Sequence, residues 1–262
     1  MNVGIIGCGF IGDELAKFID KNNEFKLIGL NDIDKNKSEL LIKRLKSNSP
    51  KFMNYNELIK SSDLIIESAS KSAVGDILKN KNLDKESKKL LIMSTGGLIS
   101  NLGLLSKIKN CVIYLPSGAI AGLDAIKSVS NRIKYMSLTT TKPIKALEKA
   151  PYIIKNKINL KKLKTKKVIF YGSLSDAING FPQNINVAAT LFLASKFKDI
   201  KVIIVADPTT KLNTHEIICQ GDFGRITTRT ENIPSKNPKT SYLAVLSAIN
   251  VLKNLKNNVN IG

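Results

Sequence analysis

The sequence contains one histidine, no tryptophan and three cysteines, and these shortages limit its chemistry. Cys8, Cys111 and Cys219 are odd in number and lack C-x-x-C spacing, so neither a disulfide framework nor a zinc site is expected. Cys8 stands in a glycine-rich turn. A redox or nucleophilic role there is one interpretation, but a small residue that fills a tight turn is the one we favour. We expect no bound metal.

Long apolar runs are also missing. No stretch approaches the roughly 18 apolar residues that a membrane helix needs. The first predicted strand begins at Asn2 or Val3, which leaves no room for a basic region and an apolar signal core. The sequence therefore predicts a cytoplasmic protein without a membrane partner.

Acidic residues are few. The sequence has 21 Asp and Glu against 41 Lys and Arg, which gives a formal net charge of +20. Only four of the basic residues are arginine, and the rest are lysine. Lys, Ile and Asn share A/T-rich codons, so a genome of biased base composition accounts for the surplus of lysine. The one lysine cluster, at 161–167, has no interleaved aromatic residues of the kind that stack on bases. We expect no nucleic-acid partner, although the charge would attract an anionic substrate.

The first 115 residues alternate between apolar runs and helical patterns. Strands are predicted at 2–6, 25–31, 63–68, 89–94 and 111–115, with helices at 10–21 and 34–46. This alternation is typical of βαβ units, and it predicts an N-terminal Rossmann domain with a doubly wound parallel sheet.

The pattern changes after Pro116. The Thr-rich run 133–141 predicts an exposed antiparallel strand, and 167–171 and 200–206 predict two more. Residues 215–231 predict a hairpin that turns at 221–224, and 183–197 predicts an apolar helix. We therefore expect a dinucleotide-binding domain at 1–116 and a smaller α+β substrate domain at 117–239. A C-terminal helix, 240–262, is predicted to pack back on the first domain.

The turn G-C-G-F-I-G at 7–12 follows the first strand and opens the first helix. In a dinucleotide-binding fingerprint, Gly7 allows the tight turn, Gly9 lets the backbone approach a pyrophosphate, and Gly12 lets the helix pack on the sheet. Phe10 and Ile11 belong to the same turn. Because the strand and helix context is met, we expect all five residues to contact NAD or NADP.

Asp32 ends the second strand, 20 residues after Gly12, where a carboxylate binds the ribose hydroxyls. A carboxylate repels the extra phosphate of NADP, so Asp32 favours NAD, whereas Lys35 and Lys37 weaken that preference. Ser68 and Ala69 follow a third strand, and small residues at that edge would let the nicotinamide approach. Ordinary loop chemistry is the alternative for these two.

His215 is the only histidine in the chain. Dehydrogenation of an alcohol or amine needs a group that takes a proton near neutral pH, and histidine is suited to that task. A packed structural histidine is the alternative. If His215 is catalytic, the rate is expected to follow one ionisation in histidine's usual range.

Three further segments resemble the L-aspartate dehydrogenase family. They are P-S-G-A-I-A-G-L-D-A at 116–125, F-P-Q-N-I-N-V-A-A at 181–189, and A-D-P at 206–208 with N-T-H at 213–215. With the glycine turn they follow the family's order over residues 4–217, nearly the whole chain. The resemblance implies NAD(P)-dependent oxidation of L-aspartate to iminosuccinate, with reductive amination of oxaloacetate as the reverse, and a role in NAD biosynthesis.

The same resemblance implies roles for particular residues. His215 would be catalytic, Asn186 would contact the nicotinamide carboxamide, and Ala119 or Ala121 would lie against the cofactor. One departure is present, since T-T-K-P at 140–143 stands where the family is expected to have T-R-K-P, so Thr141 replaces an arginine. Lys142 is our candidate for pairing with the carboxylates of a dicarboxylic amino acid.

Two other interpretations stay open. Another Rossmann reductase of similar build, such as a dihydrodipicolinate reductase, is one, although those enzymes carry paired histidines and this chain has a single one. A cofactor-sensing regulator without turnover is the other, although no helix-turn-helix or second module supports it. We further expect a homo-oligomer, specifically a dimer.

Overall fold

The computed structural model describes residues 1–182, 185–235 and 240–259, which divide into two compact units. The first unit comprises Met1–Pro116 and Ala248–Asn257, and the second is built on Ser117–Ser247. The domain limits expected from the sequence stay a prediction. The second domain at 117–239 and the helix at 240–262 both include residues outside the described ones.

The first unit contains a six-stranded sheet and the helices that connect its strands. Its strands are β1 (Asn2–Ile6), β2 (Lys26–Asn31), β3 (Lys51–Phe52), β4 (Leu64–Glu67), β5 (Lys89–Ile92) and β6 (Val112–Tyr114). Its helices are α1 (Phe10–Asp20), α2 (Lys35–Ile42), α3 (Tyr55–Ser61), α4 (Lys71–Lys79), α5 (Gly96–Ile99) and α6 (Leu102–Leu105).

The strand order is β3-β2-β1-β4-β5-β6, and every pairing is parallel. This is the order of a dinucleotide-binding Rossmann fold, so the predicted doubly wound parallel sheet is confirmed. The order reverses at β1, whose carboxyl end carries the glycine turn. The two-residue β3 was not predicted, because both of its residues are exposed and form no apolar run.

The central strands are mostly apolar because helices cover both faces of a parallel sheet. Every residue of β4 is buried, as are Val3 to Ile6 of β1. Helix α1 turns Leu15, Ala16 and Ile19 toward the sheet, and of its charged residues only Asp20, the last one, is buried. This packing fixes where α1 begins, and hence where the glycine turn lies.

The second unit contains a five-stranded sheet with helices packed on one face. Its strands are β7 (Ile133–Pro143), β8 (Lys167–Ser173), β9 (Lys201–Asp207), β10 (Asn213–Gly221) and β11 (Gly224–Asn232). Its helices are α7 (Leu123–Ser128), α8 (Ile144–Leu147), α9 (Pro151–Lys155), α10 (Leu174–Gly180) and α11 (Asn186–Ser195). The last helix, α12 (Tyr242–Asn254), includes residues of both units.

The second sheet has the order β11-β10-β7-β9-β8. The predicted hairpin is confirmed, because β10 and β11 pair antiparallel up to Gly221 opposite Gly224. The strand predicted at 133–141 is present and pairs antiparallel with β10, but the prediction that it is exposed is wrong. Strand β7 is the central strand, antiparallel to β10 and parallel to β9. Its threonines suggested a solvent-facing strand, whereas five of the eleven residues of β7 are buried.

The covered face of this sheet is apolar over most of its area. Met136 and Leu138 on β7 and Ile217 and Cys219 on β10 belong to one buried cluster with the helices. Within that cluster, the rings of Tyr152, Phe170 and Phe181 have centroids 5.2–5.4 Å apart. Toward one end of the same face, the side chains that follow these apolar residues on β7 and β10 are polar, and they are also buried. Among the described residues, no helix has both the length and the apolar character needed to cross a bilayer.

Candidate functional site

The glycine turn is shaped by two close approaches of backbone to backbone. Gly7 has φ +96°, and a Cβ placed on it would lie 2.5 Å from the backbone nitrogen of Ala69. A Cβ on Gly12 would overlap the carbonyl oxygen of Gly7. Only glycine therefore fits these two positions. Both contacts bring the turn, the start of α1 and the loop after β4 into one compact structure.

Gly9 is different, because a Cβ built on it meets no atom within 4 Å. It is the N-cap of α1, with φ −74° and ψ −165°, a conformation open to any residue. Phe10 and Ile11 begin the helix and are half-buried. The turn thus leaves space beside the helix N-terminus, where backbone amides and the helix dipole favour a phosphate. The arrangement fits the pyrophosphate of NAD or NADP.

Asp32 is tied to the glycine turn by its own carboxylate. Cys8 donates its backbone N–H to Asp32 Oδ2 at 2.7 Å, and Asp34 donates its N–H to Asp32 Oδ1 at 2.9 Å. Each oxygen has a second lone pair, so the carboxylate can still accept a ribose hydroxyl. Sequence reasoning missed this structural task, because no motif distinguishes a carboxylate that also anchors a turn.

Cys8 acts as a structural residue. It is 7% exposed, and its Sγ lies 3.4 Å from Ser38 Oγ. Burial raises the pKa of the thiol to about 11, with further raising by the charge of Asp32. A protonated, buried thiol is a poor nucleophile. The structure therefore supports the turn-filling interpretation.

Ser68 and Ala69 lie where the sequence placed them, at the end of β4. Ser68 Oγ donates to the carbonyl oxygen of Gly7 at 2.8 Å, and the Ala69 backbone packs against Gly7. Their loop is therefore part of the same edge as the glycine turn. Whether they contact the cofactor stays a prediction.

In the second unit, a polar group occupies one end of the covered sheet face. Thr140 and His215 are register partners on β7 and β10, and Thr140 Oγ1 lies 3.0 Å from His215 Nδ1. Lys142 follows two residues after Thr140 and so shares its face of the sheet. His215 is 2% exposed, and Thr140 and Lys142 are each 4% exposed. We call Thr140, Lys142 and His215 the buried polar triad.

The triad holds two titratable groups whose ordinary pKa values are displaced. Burial, together with the positive charge of Lys142, lowers the pKa of His215 to about 3. Burial lowers the pKa of Lys142 to about 8. The expectation of a His215 ionisation in its usual range is therefore wrong for the free protein. In the free protein, His215 is therefore neutral at physiological pH.

A second set of hydrogen bonds fixes the segment at 117–122 beside His215. Thr230 is the register partner of His215 on β11, and its Oγ1 donates to the carbonyl oxygen of Ala119 at 2.7 Å. Asn232 Nδ2 donates to the same oxygen at 3.0 Å. Sequence reasoning missed Thr140, Thr230 and Asn232. Alternation along β7 from Lys142 would have found Thr140. The register of the predicted hairpin, which sets Thr230 opposite His215, would have found Thr230 and Asn232.

The other residues with predicted cofactor roles have different surroundings. Ala119 is 5% exposed and anchored as described, whereas Ala121 is exposed. Asn186 is the first residue of α11 and is exposed. Its neighbours at 183 and 184, which belong to the quoted motif, lie outside the described residues. The cofactor roles of these three residues stay predictions.

Thr141, which replaces the arginine expected in the family, is not part of the triad. Because side chains alternate along a strand, Thr141 lies on the opposite face from Thr140 and Lys142. There it lines a cavity of about 320 Å³ with Thr139, Thr214 and Glu216. The position that departs from the family pattern therefore lies outside the buried polar triad. Within the described ranges, no group of three or more His, Cys, Asp or Glu could hold a metal ion.

Comparisons with known proteins agree with this geometry. The sequence model described as "Aspartate dehydrogenase, C-terminal" matches residues 124–255, and "Homoserine dehydrogenase, NAD binding domain" matches residues 7–111. The L-aspartate dehydrogenase of Methanosarcina acetivorans is 43% identical over 100% of this chain and 99% of its own length. The chain belongs to the aspartate dehydrogenase family. The family resemblance seen in the sequence is thus confirmed.

Solved structures extend the comparison to the fold. The crystal structure of aspartate dehydrogenase from Thermotoga maritima matches with a TM-score of 0.74 and 28% identity, covering 100% of this chain and 99% of that one. A myo-inositol dehydrogenase from Lactobacillus casei matches at 0.55 and 12% identity, covering 90% and 76%. The second likeness concerns the fold alone. In this aspartate dehydrogenase family member, the glycine turn and the triad belong to different units.

The open space beside Gly9 leads to a specific expectation. Gly9→Val should abolish most cofactor binding, because a branched side chain would occupy the path of the pyrophosphate, while the fold stays intact. Calorimetric titration with NAD and NADP, together with a thermal melt, measures both effects. Gly103→Val is the matched control, since Gly103 also has nothing within 4 Å. Unchanged cofactor affinity in Gly9→Val would show that the turn does not bind the pyrophosphate.

Proposed function

We propose that this protein oxidises L-aspartate to iminosuccinate with NAD or NADP, and in reverse aminates oxaloacetate reductively. The observation that carries the proposal is the buried triad of His215, Thr140 and Lys142 on the second sheet. The names of the 39–43% identical relatives, all L-aspartate dehydrogenases, support the choice of substrate. The product is a precursor of the pyridine ring, so we further propose a role in NAD biosynthesis. The cytoplasmic location stays a prediction.

The residues of the chain divide the reaction between them. The bound cofactor would supply the acceptor for the hydride that leaves Cα. Oxidation also removes a proton from the substrate nitrogen as the C=N bond forms, and neutral His215 is placed to take it. Lys142 pairs with a substrate carboxylate, whose negative charge raises the proton affinity of His215. Thr140 at 3.0 Å from Nδ1 holds the imidazole in one orientation.

His215→Ala tests the central role. Turnover with L-aspartate should fall by roughly 10²–10⁴-fold, because the proton acceptor is lost, while cofactor affinity stays within a few-fold. Formation of reduced cofactor is followed by its absorbance, and the melting temperature is measured on the same sample. A stable variant with near-normal turnover would exclude His215 as the proton acceptor. If wild-type protein turned over another amino or hydroxy acid better than L-aspartate, the substrate assignment would fail instead.

Lys142 can be tested through pH. If its ammonium binds a carboxylate, inhibition by succinate should weaken as pH rises through about 8, where Lys142 loses its proton. Succinate is used because it has no amine and remains fully ionised across this range. Lys142→Arg should remove the pH dependence, since a guanidinium stays charged, and Lys142→Met should abolish inhibition at every pH. A pH-independent inhibition constant in the wild-type protein would contradict this role.

We also propose that the protein forms a homodimer through the open face of the second sheet. On this face Tyr135, Val168 and Tyr171 are 41%, 55% and 66% exposed. Charges of both signs lie beside them, with Arg229 paired to Glu231 at 2.7 Å and to Glu216 at 3.4 Å. An apolar patch flanked by both signs is self-complementary, as a two-fold interface requires.

Light scattering after gel filtration measures the mass directly. The wild-type protein should show twice the 28.7 kDa of one chain. The double variant Val168→Glu and Tyr171→Glu should be monomeric, because it places like charges on both sides of the two-fold axis. Ile154→Glu, which changes a residue 65% exposed on α9, is the control and should stay dimeric. A monomeric wild-type protein would refute the proposal.

A further inference from the structure

Glu67 is a fully buried carboxylate with an unusual set of partners. It is the last residue of β4 and is 0% exposed. Its Oε1 accepts the backbone N–H of Ala69 at 2.9 Å and of Ser70 at 3.0 Å, and its Oε2 accepts that of Ser94 at 2.9 Å. Burial raises the pKa of Glu67, and these hydrogen bonds oppose the rise. One side chain thus joins the loops that follow β4 and β5.

These two loops lead to other parts of the sheet edge along which the cofactor is proposed to lie. The loop after β4 contacts the glycine turn, through Ser68 Oγ on the carbonyl oxygen of Gly7 and through Ala69 against the Gly7 backbone. The loop after β5 leads directly into α5, which begins at Gly96. The Glu67 carboxylate therefore couples the ends of three neighbouring strands, β1, β4 and β5.

The order of the strands determines which half of a dinucleotide would meet these loops. Asp32 at the end of β2 would bind the adenosine ribose, and the glycine turn at the end of β1 would bind the pyrophosphate. The sheet continues on the other side of β1 with β4 and β5. A dinucleotide laid across this edge therefore has its nicotinamide half over the loops that Glu67 joins.

We propose that Glu67 is a positioning residue that holds these two loops in the arrangement needed by the nicotinamide half of the cofactor. The inference rests on the cofactor lying along the glycine-turn edge, as proposed above. Only a carboxylate suits the position, because its two oxygens both accept. A glutamine of the same shape would turn its NH₂ group toward either Ser94 N–H or the Ala69 and Ser70 N–H groups, leaving donors facing donors.

The test compares two ligands that differ only in the nicotinamide. Calorimetry measures the dissociation constants of NAD and of ADP-ribose, which has the same adenosine, pyrophosphate and second ribose. Glu67→Gln should weaken NAD about tenfold, equivalent to the loss of about one net hydrogen bond, and ADP-ribose by less than about twofold. Equal effects on both ligands, or none on either, would overturn the proposal.

Asp20→Asn is the matched control. Asp20 is also buried, at 8% exposed, and its carboxylate accepts the backbone N–H groups of Lys46, Ser47 and Asn48. It lies at the end of α1, on the edge where the strands begin. Its variant should lose thermal stability without changing the NAD to ADP-ribose ratio. A changed ratio in Asp20→Asn would assign the effect to general loosening and overturn the role of Glu67.

A second variant covers the case in which Glu67→Gln does not fold. Ser94→Ala removes the hydrogen bond from the Ser94 side chain to Glu67 and keeps the backbone contact. It should weaken NAD relative to ADP-ribose in the same direction, by a smaller factor, and an unchanged ratio would count against the proposal. Failure of the cofactor placement is recognised separately, because Gly9→Val would then leave the affinities of both ligands unchanged.

Discussion

The burial of a lysine next to a histidine is the constraint on which the candidate active site depends. Taking a charged group out of water costs free energy, and burial accordingly lowers the pKa of Lys142 to about 8. The same burial keeps His215 neutral. An incoming dicarboxylate would bring the negative charge that both groups are arranged to meet. In the proposed mechanism, the site therefore favours an anion before any substrate arrives.

This constraint explains why the triad stands on strands and not on loops. Register pairing between β7 and β10 sets His215 opposite Thr140, and alternation places Lys142 on the same face. Side chains on the strands of a sheet have little freedom, so the proposed proton acceptor His215 and the proposed carboxylate-binding Lys142 keep their spacing. The glycine turn follows a similar rule, because Gly7 and Gly12 fit only where backbone approaches backbone. In the second unit, the candidate catalytic residues are positioned by paired strands. In the first unit, the candidate cofactor-binding turn is positioned by close contacts between backbones.

The first unit was largely predictable from the sequence. Parallel strands buried on both faces are continuous apolar runs, and the glycine turn with Asp32 marked the order of the elements. Strand β3 has no such run and was missed. In the second unit, the threonines of β7 suggested a solvent-facing strand, although Thr140 faces the interior. Periodicity shows that side chains alternate but does not show which face the helices cover. For the same reason, the sequence suggested an ordinary pKa for His215, since desolvation depends on neighbours distant in the chain.

The state of the three cysteines has a consequence for stress in the cell. Cys8, Cys111 and Cys219 are all buried, and burial raises the pKa of each thiol. Oxidants and alkylating reagents attack cysteine through its thiolate, so we expect these three side chains to react slowly with peroxide or electrophiles in the folded chain. We therefore expect this redox enzyme to be insensitive to the thiol redox balance of its surroundings.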